Sequence, residues 1–274
     1  MTLKTRNRFI RIFLIASIAL TISMIAIFFI TLATQSIHAP SNLRIPSFLN
    51  YIPFAKNNLI ALMISFLVLA FYACACFYLL LRFFENTQTS EIIFFTGFLL
   101  ACLAEMARFI IICVGLWRSL SNMLIFAGNV VLFGRTLAPL SFLCAAILSE
   151  TSQRQDVERN YIIMMTVSLV FAAVIPMNTA RIASTGLVTE GFMPLINTIR
   201  FLLFATTILS FFIQGIKKNS AEYKHIASAS CILLIGYSML VCSDNFFFLI
   251  LGTALLSFGT YRYLSYIHKL YMWS

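Results

Sequence analysis

The stretch LLACLAEMARFIIICVG, Leu99 to Gly115, is apolar enough to sit in lipid, yet it carries Glu105 and Arg108 near its centre. A charged side chain at the middle of a bilayer costs about 2.5–3.5 kcal/mol on insertion scales. Residues three apart lie on the same face of a helix. The stretch therefore reads as a membrane span whose charged face turns away from lipid and onto other helices.

The rest of the chain agrees with that reading. Of its 274 residues 61% are hydrophobic and 10% charged, against about 45–50% apolar and about 25% charged in soluble domains. At ~20 residues per span there is room for seven to nine helices and little beside them. No separate soluble catalytic domain is expected, and residues 1–274 read as a single integral-membrane domain. Eight hydrophobic runs stand out, at roughly 10–34, 57–82, 92–116, 122–149, 160–177, 194–216, 225–242 and 245–264. They predict an all-α, polytopic transmembrane helical bundle. The first run follows MTLKTRNR, a basic leader-like segment. The run is too long for a signal h-region, and Pro40 follows the would-be cleavage site IHA, so it reads as a retained span.

The formal charge of +10 points to nucleic acid in a soluble protein, but in a membrane chain it reads as Lys and Arg flanking the spans. With the N-terminus inside, twelve of the 19 basic residues fall in cytoplasmic segments. Four fall in outer ones (Arg44, Lys56, Arg118 and Arg181), and three lie within spans. This asymmetry predicts both termini cytoplasmic, with 35–56 and 178–193 outside, and a plasma (inner) membrane location. The segment HAPSNLRIPSFLNYIPFAKNN, His38 to Asn58, is expected to be irregular and to lie on the outer surface. The aromatic, basic tail YRYLSYIHKLYMWS has the chemistry of a membrane–water interface.

Depth along the spans brings more charges into register. The third run is centred near residue 104, placing Glu105 at the midplane and Arg108 about 5 Å further out at ~1.5 Å per residue. The fourth is centred near Arg135, which predicts the same depth on an antiparallel neighbour. In the sixth, Arg200 matches Arg108, on a polar stripe with Asn197, Thr207, Ser210 and Gln214. Facing lipid, four such ions would cost on the order of 10–14 kcal/mol, as much as a protein's whole net stability. They are expected to face one another, with Glu105 pairing Arg135 and Arg108 alongside.

Small residues at Gly97, Ala101 and Ala104 would let a neighbouring helix approach closely. Pro139 lacks the N–H that would bond the carbonyl of Arg135, freeing a polar backbone group beside that charge. One Glu against three Arg leaves a net of about +2 in the bundle, which an anionic ligand or a lipid headgroup would balance.

Other chemistries lack their residues. The three histidines, His38, His225 and His268, all lie outside span centres. There is no H-E-x-x-H, no Walker loop and no G-x-S-x-G. The seven cysteines fall in or at the ends of apolar runs, and Cys74-x-Cys76 lacks the partners of a zinc site. Neither a metal, a cofactor nor an enzyme is expected. Asp244 in CSDNF reads as a cap of the last span, and Glu190 in VTEGF as a solvated loop acid.

Two functional classes follow. One is a permease or sensor site for a small anionic ligand, built from Arg108, Arg135, Arg200 and Asn197 with Glu105 as counter-ion. The other is a non-catalytic scaffold or subunit of a larger membrane complex, with the charge cluster as internal glue. Its partners would be the lipid bilayer and other membrane proteins, and not nucleic acid.

Overall fold

Apolar runs of 18–31 residues have one stable form where water is absent: a helix that satisfies its own backbone. The computed structural model is accordingly almost all helix, and it describes residues 3–33, 58–85, 87, 89–115, 121–148, 156–183 and 185–272. In order these form α1 (Leu3–Ala33), α2 (Leu59–Phe83), α3 (Ser90–Ala104), α4 (Met106–Val114), α5 (Ser121–Leu148) and α6 (Val157–Val174). A hairpin of β1 (Met177–Ile182) and β2 (Val188–Glu190) follows, then α7 (Met193–Lys217), α8 (Ala221–Val241) and α9 (Phe246–Met272). Helices α3 and α4 together make one span, so eight segments are long and apolar enough to cross a membrane. The Pro-rich segment 38–57 lies outside the described residues.

Successive spans run antiparallel, as the contacts at each end show. At one end Arg6 of α1 donates to the carbonyls of Phe84 and Glu85, just past α2. At the same end Tyr271 donates to Glu91 at the start of α3, and the rings of Phe84 and His268 meet edge to face. At the other end the Asn58 N–H donates to the Asp244 carbonyl at 2.8 Å, and Thr31 meets Cys113. Leu3 and Met272 therefore share one end of the bundle. Arg6 is 3% exposed and closes the carbonyl end of α2, a structural role beyond that of a flanking charge.

Helices α3 and α5 pack closely. A Cβ on Gly134 would fall 2.9 Å from the Ala101 carbonyl oxygen, so the small faces of the two helices bring their backbones nearly into contact. The α8–α9 pair is closer still: a Cβ on Gly236 would collide with the backbone of Leu256, and one on Gly259 would lie 2.7 Å from the Leu233 nitrogen. The turn between them is capped by Asn245, whose Oδ1 accepts from the Phe248 N–H at 2.9 Å. The cap is thus Asn245 rather than Asp244, whose carboxylate accepts from Asn245 Nδ2.

The segment 178–193 is not a plain loop. Pro176 cannot continue α6, and the β-branched residues beyond it form an antiparallel ladder that pairs Met177 with Glu190 and Ile182 with Val188. Gly186, at φ +69, closes the turn and packs against Ile112 and Leu62. Val188 is fully buried and lies over Gly128 of α5, in a small core with Ile111, Leu124, Ala127 and Ile182. The hairpin is folded into the end of the bundle opposite Leu3 and Met272.

The α8–α9 contact gives a direct test. Gly236→Ala forces two backbones apart, and overpacking of this kind costs about 1–3 kcal/mol. A fall of several degrees in the detergent melting temperature is expected, while Gly97→Ala, which meets only the flexible end of Met164 and side chains of Ser141 and Tyr161, should shift it less.

Candidate functional site

The third span is interrupted where its charges begin. Glu105 has φ −62 and ψ −17, and its carbonyl accepts from the N–H of Arg108 at 3.2 Å. This is a single 3₁₀ turn, in which side chains at i and i+3 eclipse one another. The eclipse sets Glu105 Oε2 2.6 Å from Arg108 Nε, an ion contact outside hydrogen-bonding angles. The other carboxylate oxygen, Oε1, accepts from Arg135 Nε at 3.0 Å across the α3–α5 contact. Tyr237 of α8 approaches the same oxygen with its hydroxyl at 3.5 Å. One carboxylate thus lies between two guanidiniums, and Glu105 and Arg108 have no exposed surface.

Backbone carbonyls meet other guanidinium donors. Arg108 Nη1 donates to the Val241 carbonyl at 2.8 Å and to the Thr185 carbonyl at 3.0 Å. Arg135 Nη2 reaches Val241 at 3.5 Å. Val241 is the last residue of α8, where carbonyls have no helical donor and the macrodipole is negative, so two cations complete that helix end. Thr185 belongs to the hairpin turn, which ties that turn to the cluster. The Arg108 guanidinium also lies 4.6 Å from the centre of the Phe66 ring, a cation–π contact between two fully buried groups. Among the described residues Arg108 Nη2 has no hydrogen-bond partner, and Nε has only its ion contact with Glu105.

The structure divides the expected group. Glu105, Arg108 and Arg135 come together. Arg200 does not join them on Glu105: it pairs with Glu190 at 2.8 Å. Glu190 closes β2, is 5% exposed and is no solvated loop acid. Arg200 lies on α7 ten residues further along the chain, and the two form a separate buried pair beneath the hairpin. Asn197 points away and is exposed, so it takes no part. The polar stripe of α7 is also divided, with Thr207 and Gln214 buried while Gln214 donates to the Ala146 carbonyl of α5.

Glu190 lies within electrostatic reach of Arg135, so the two pairs form one field of two acids and three bases. Its net charge is +1, not the +2 counted without Glu190. Among the described residues no three His, Cys, Asp or Glu side chains assemble into a metal-binding group.

The members that sequence reasoning missed are Glu190, Tyr237 and the carbonyls of Thr185 and Val241. Only Glu190 left a trace, as an acid ten residues before a span-borne arginine. Backbone carbonyls carry no residue signature at all.

Glu190→Gln should unfasten the hairpin without opening the bundle. Amide hydrogen exchange at Val188 and Glu190 is expected to accelerate at least tenfold, with little change at Glu105 and Arg108. Equal acceleration in both places would mean that the two pairs act as one unit. No family model, curated protein or solved structure matches the chain.

Proposed function

We propose that this integral-membrane protein is a non-catalytic scaffold or subunit of a larger membrane assembly, and that the Glu105 cluster is its internal fastening. The observation that carries this reading is closure. Glu105 and Arg108 are fully buried, and the chain's own carboxylate, carbonyl and ring groups surround the charge. An ion pair between α3, α4 and α5 that also holds a helix end and a hairpin turn is suited to fixing one arrangement of helices. Helices α1, α6 and α7 turn most of their apolar surface outward, as spans that face lipid or other membrane proteins do. The asymmetry of basic residues supports placing both chain termini on the cytoplasmic side of a plasma (inner) membrane.

A second reading, a permease or sensor site for a small anion, draws on specific atoms. Among the described residues Arg108 Nη2 and Arg200 Nε are buried without hydrogen-bond partners, and the group retains a net +1. Such an anion would enter beneath the hairpin, where Arg200 is 15% exposed.

Two substitutions separate the readings. Breaking a buried pair costs about 3–5 kcal/mol because the abandoned charges stay buried. Glu105→Gln strands two guanidiniums, so the fastening role requires loss of protein from the membrane and a large fall in melting temperature. If Glu105→Gln matches the parent in both, that role is wrong. In the parent, small carboxylates, phosphate or chloride should not raise the melting temperature. A concentration-dependent rise that Arg200→Gln abolishes would establish the anion site instead. The scaffold role further requires that a mild-detergent pull-down from native membranes retain a membrane partner in fixed stoichiometry. Reporter fusions at residues 155 and 274 should both read as cytoplasmic, and one at residue 50 as external.

A further inference from the structure

Away from the charge cluster, residues of α2 and α9 towards the end of the bundle that holds Leu3 and Met272 line a crevice of about 640 Å³. On α2 its wall is Tyr72, Ala75, Cys76 and Leu79, one face at helical spacing, ending at Phe83 and Phe84 beside Arg82. The α9 wall runs from Ser257 to Lys269, twelve residues or ~18 Å of helix. Half the hydrocarbon core of a bilayer is ~15 Å, so the crevice spans one leaflet.

Its chemistry changes along that length. In the inner part the hydroxyls of Tyr72 and Thr260 are already engaged with each other and with backbone. Tyr72 and Thr260 share a hydrogen bond of 2.6 Å, and Thr260 also donates to the Leu256 carbonyl. Most of that part of the wall offers an occupant apolar contact. The outer end is different. Among the described residues His268 Nδ1 is buried without a hydrogen-bond partner, and Lys269 next to it is exposed. An apolar slot one leaflet deep, ending in an unmatched imidazole and a cation at the headgroup level, has the polarity of a lipid placed tail inward.

We propose that the crevice between α2 and α9 binds one acyl chain of an anionic phospholipid, with the headgroup phosphate held at His268 and Lys269. Charge complementarity selects this occupant over a second copy of the chain. Among the described residues the bases at the same end of the bundle outnumber its acids, Glu85, Glu91, Asp156, Glu158 and Glu222, so another copy would bring like net charge to the mouth. The site is independent of the Glu105 cluster and survives whichever role that cluster has.

The test is native mass spectrometry of the full chain released from vesicles of equal phosphatidylglycerol and phosphatidylcholine with identical acyl chains. One lipid should remain bound per chain, with phosphatidylglycerol favoured about fivefold, since one basic residue near a membrane contributes ~1 kcal/mol of attraction to anionic lipid. Lys269→Gln should remove most of that preference while leaving lipid bound. Ser265→Trp fills the crevice and should cut retention of both lipids at least fivefold at an unchanged melting temperature. If that variant does not fold, Ala75→Leu on the opposite wall supplies the same reading. Undiminished retention in a folded, blocked variant would overturn the proposal. So would equal retention of the two lipids by the parent, or a dimer that the blocking substitution converts to monomer.

Discussion

A carboxylate with no access to water must find its compensation in the protein, and Glu105 finds it in two guanidiniums at once. The cost of burying an ion is repaid only when its geometry is good and the partners' other donors are also met. That second condition reaches far along the chain. Arg108 and Arg135 together have more donors than one carboxylate can accept. The excess recruits the end of α8 and the turn of the hairpin, so four separated parts of the fold meet at one charged centre.

Much of the architecture was legible because membrane spans announce themselves by length and apolarity. Eight runs became eight spans, with boundaries within a few residues at most ends. The exceptions are α1, which begins at Leu3, where Arg6 binds carbonyls at the close of α2, and α9, which runs on to Met272. The pairing of Glu105 with Arg135 was also legible, since burial leaves a mid-span acid few choices and depth along two antiparallel helices narrows them to one. Arg200 was misplaced for a physical reason. Depth ranks partners only among residues on helices, and its true partner lies on a strand that re-enters from the loop side. Strands of six and three residues leave too short a pattern to be distinguished from a loop.

Irregular backbone within a membrane-spanning bundle is tolerated where protein covers it. Here the hairpin meets that requirement in two ways. Val188 and Ile182 bury an apolar side against α4 and α5, while the Thr185 carbonyl, which neither strand uses, accepts from Arg108. The same donor serves the last carbonyl of α8. Arginine suits this role better than lysine because its planar fork presents five donors in fixed directions, enough for a carboxylate and two carbonyls together.

The 3₁₀ turn at Glu105 has a consequence for biosynthesis. A chain made from its N-terminus delivers α3 and α4 before the partners of Arg108 exist: Thr185 is 77 residues later and Val241 133 residues later. Arg135, the other partner of Glu105, is 30 residues away. Acid and base three residues apart share one helical face, so the segment contains its own counter-ion before those later residues are made. The long-range contacts then complete a neutralisation that three residues of local geometry began.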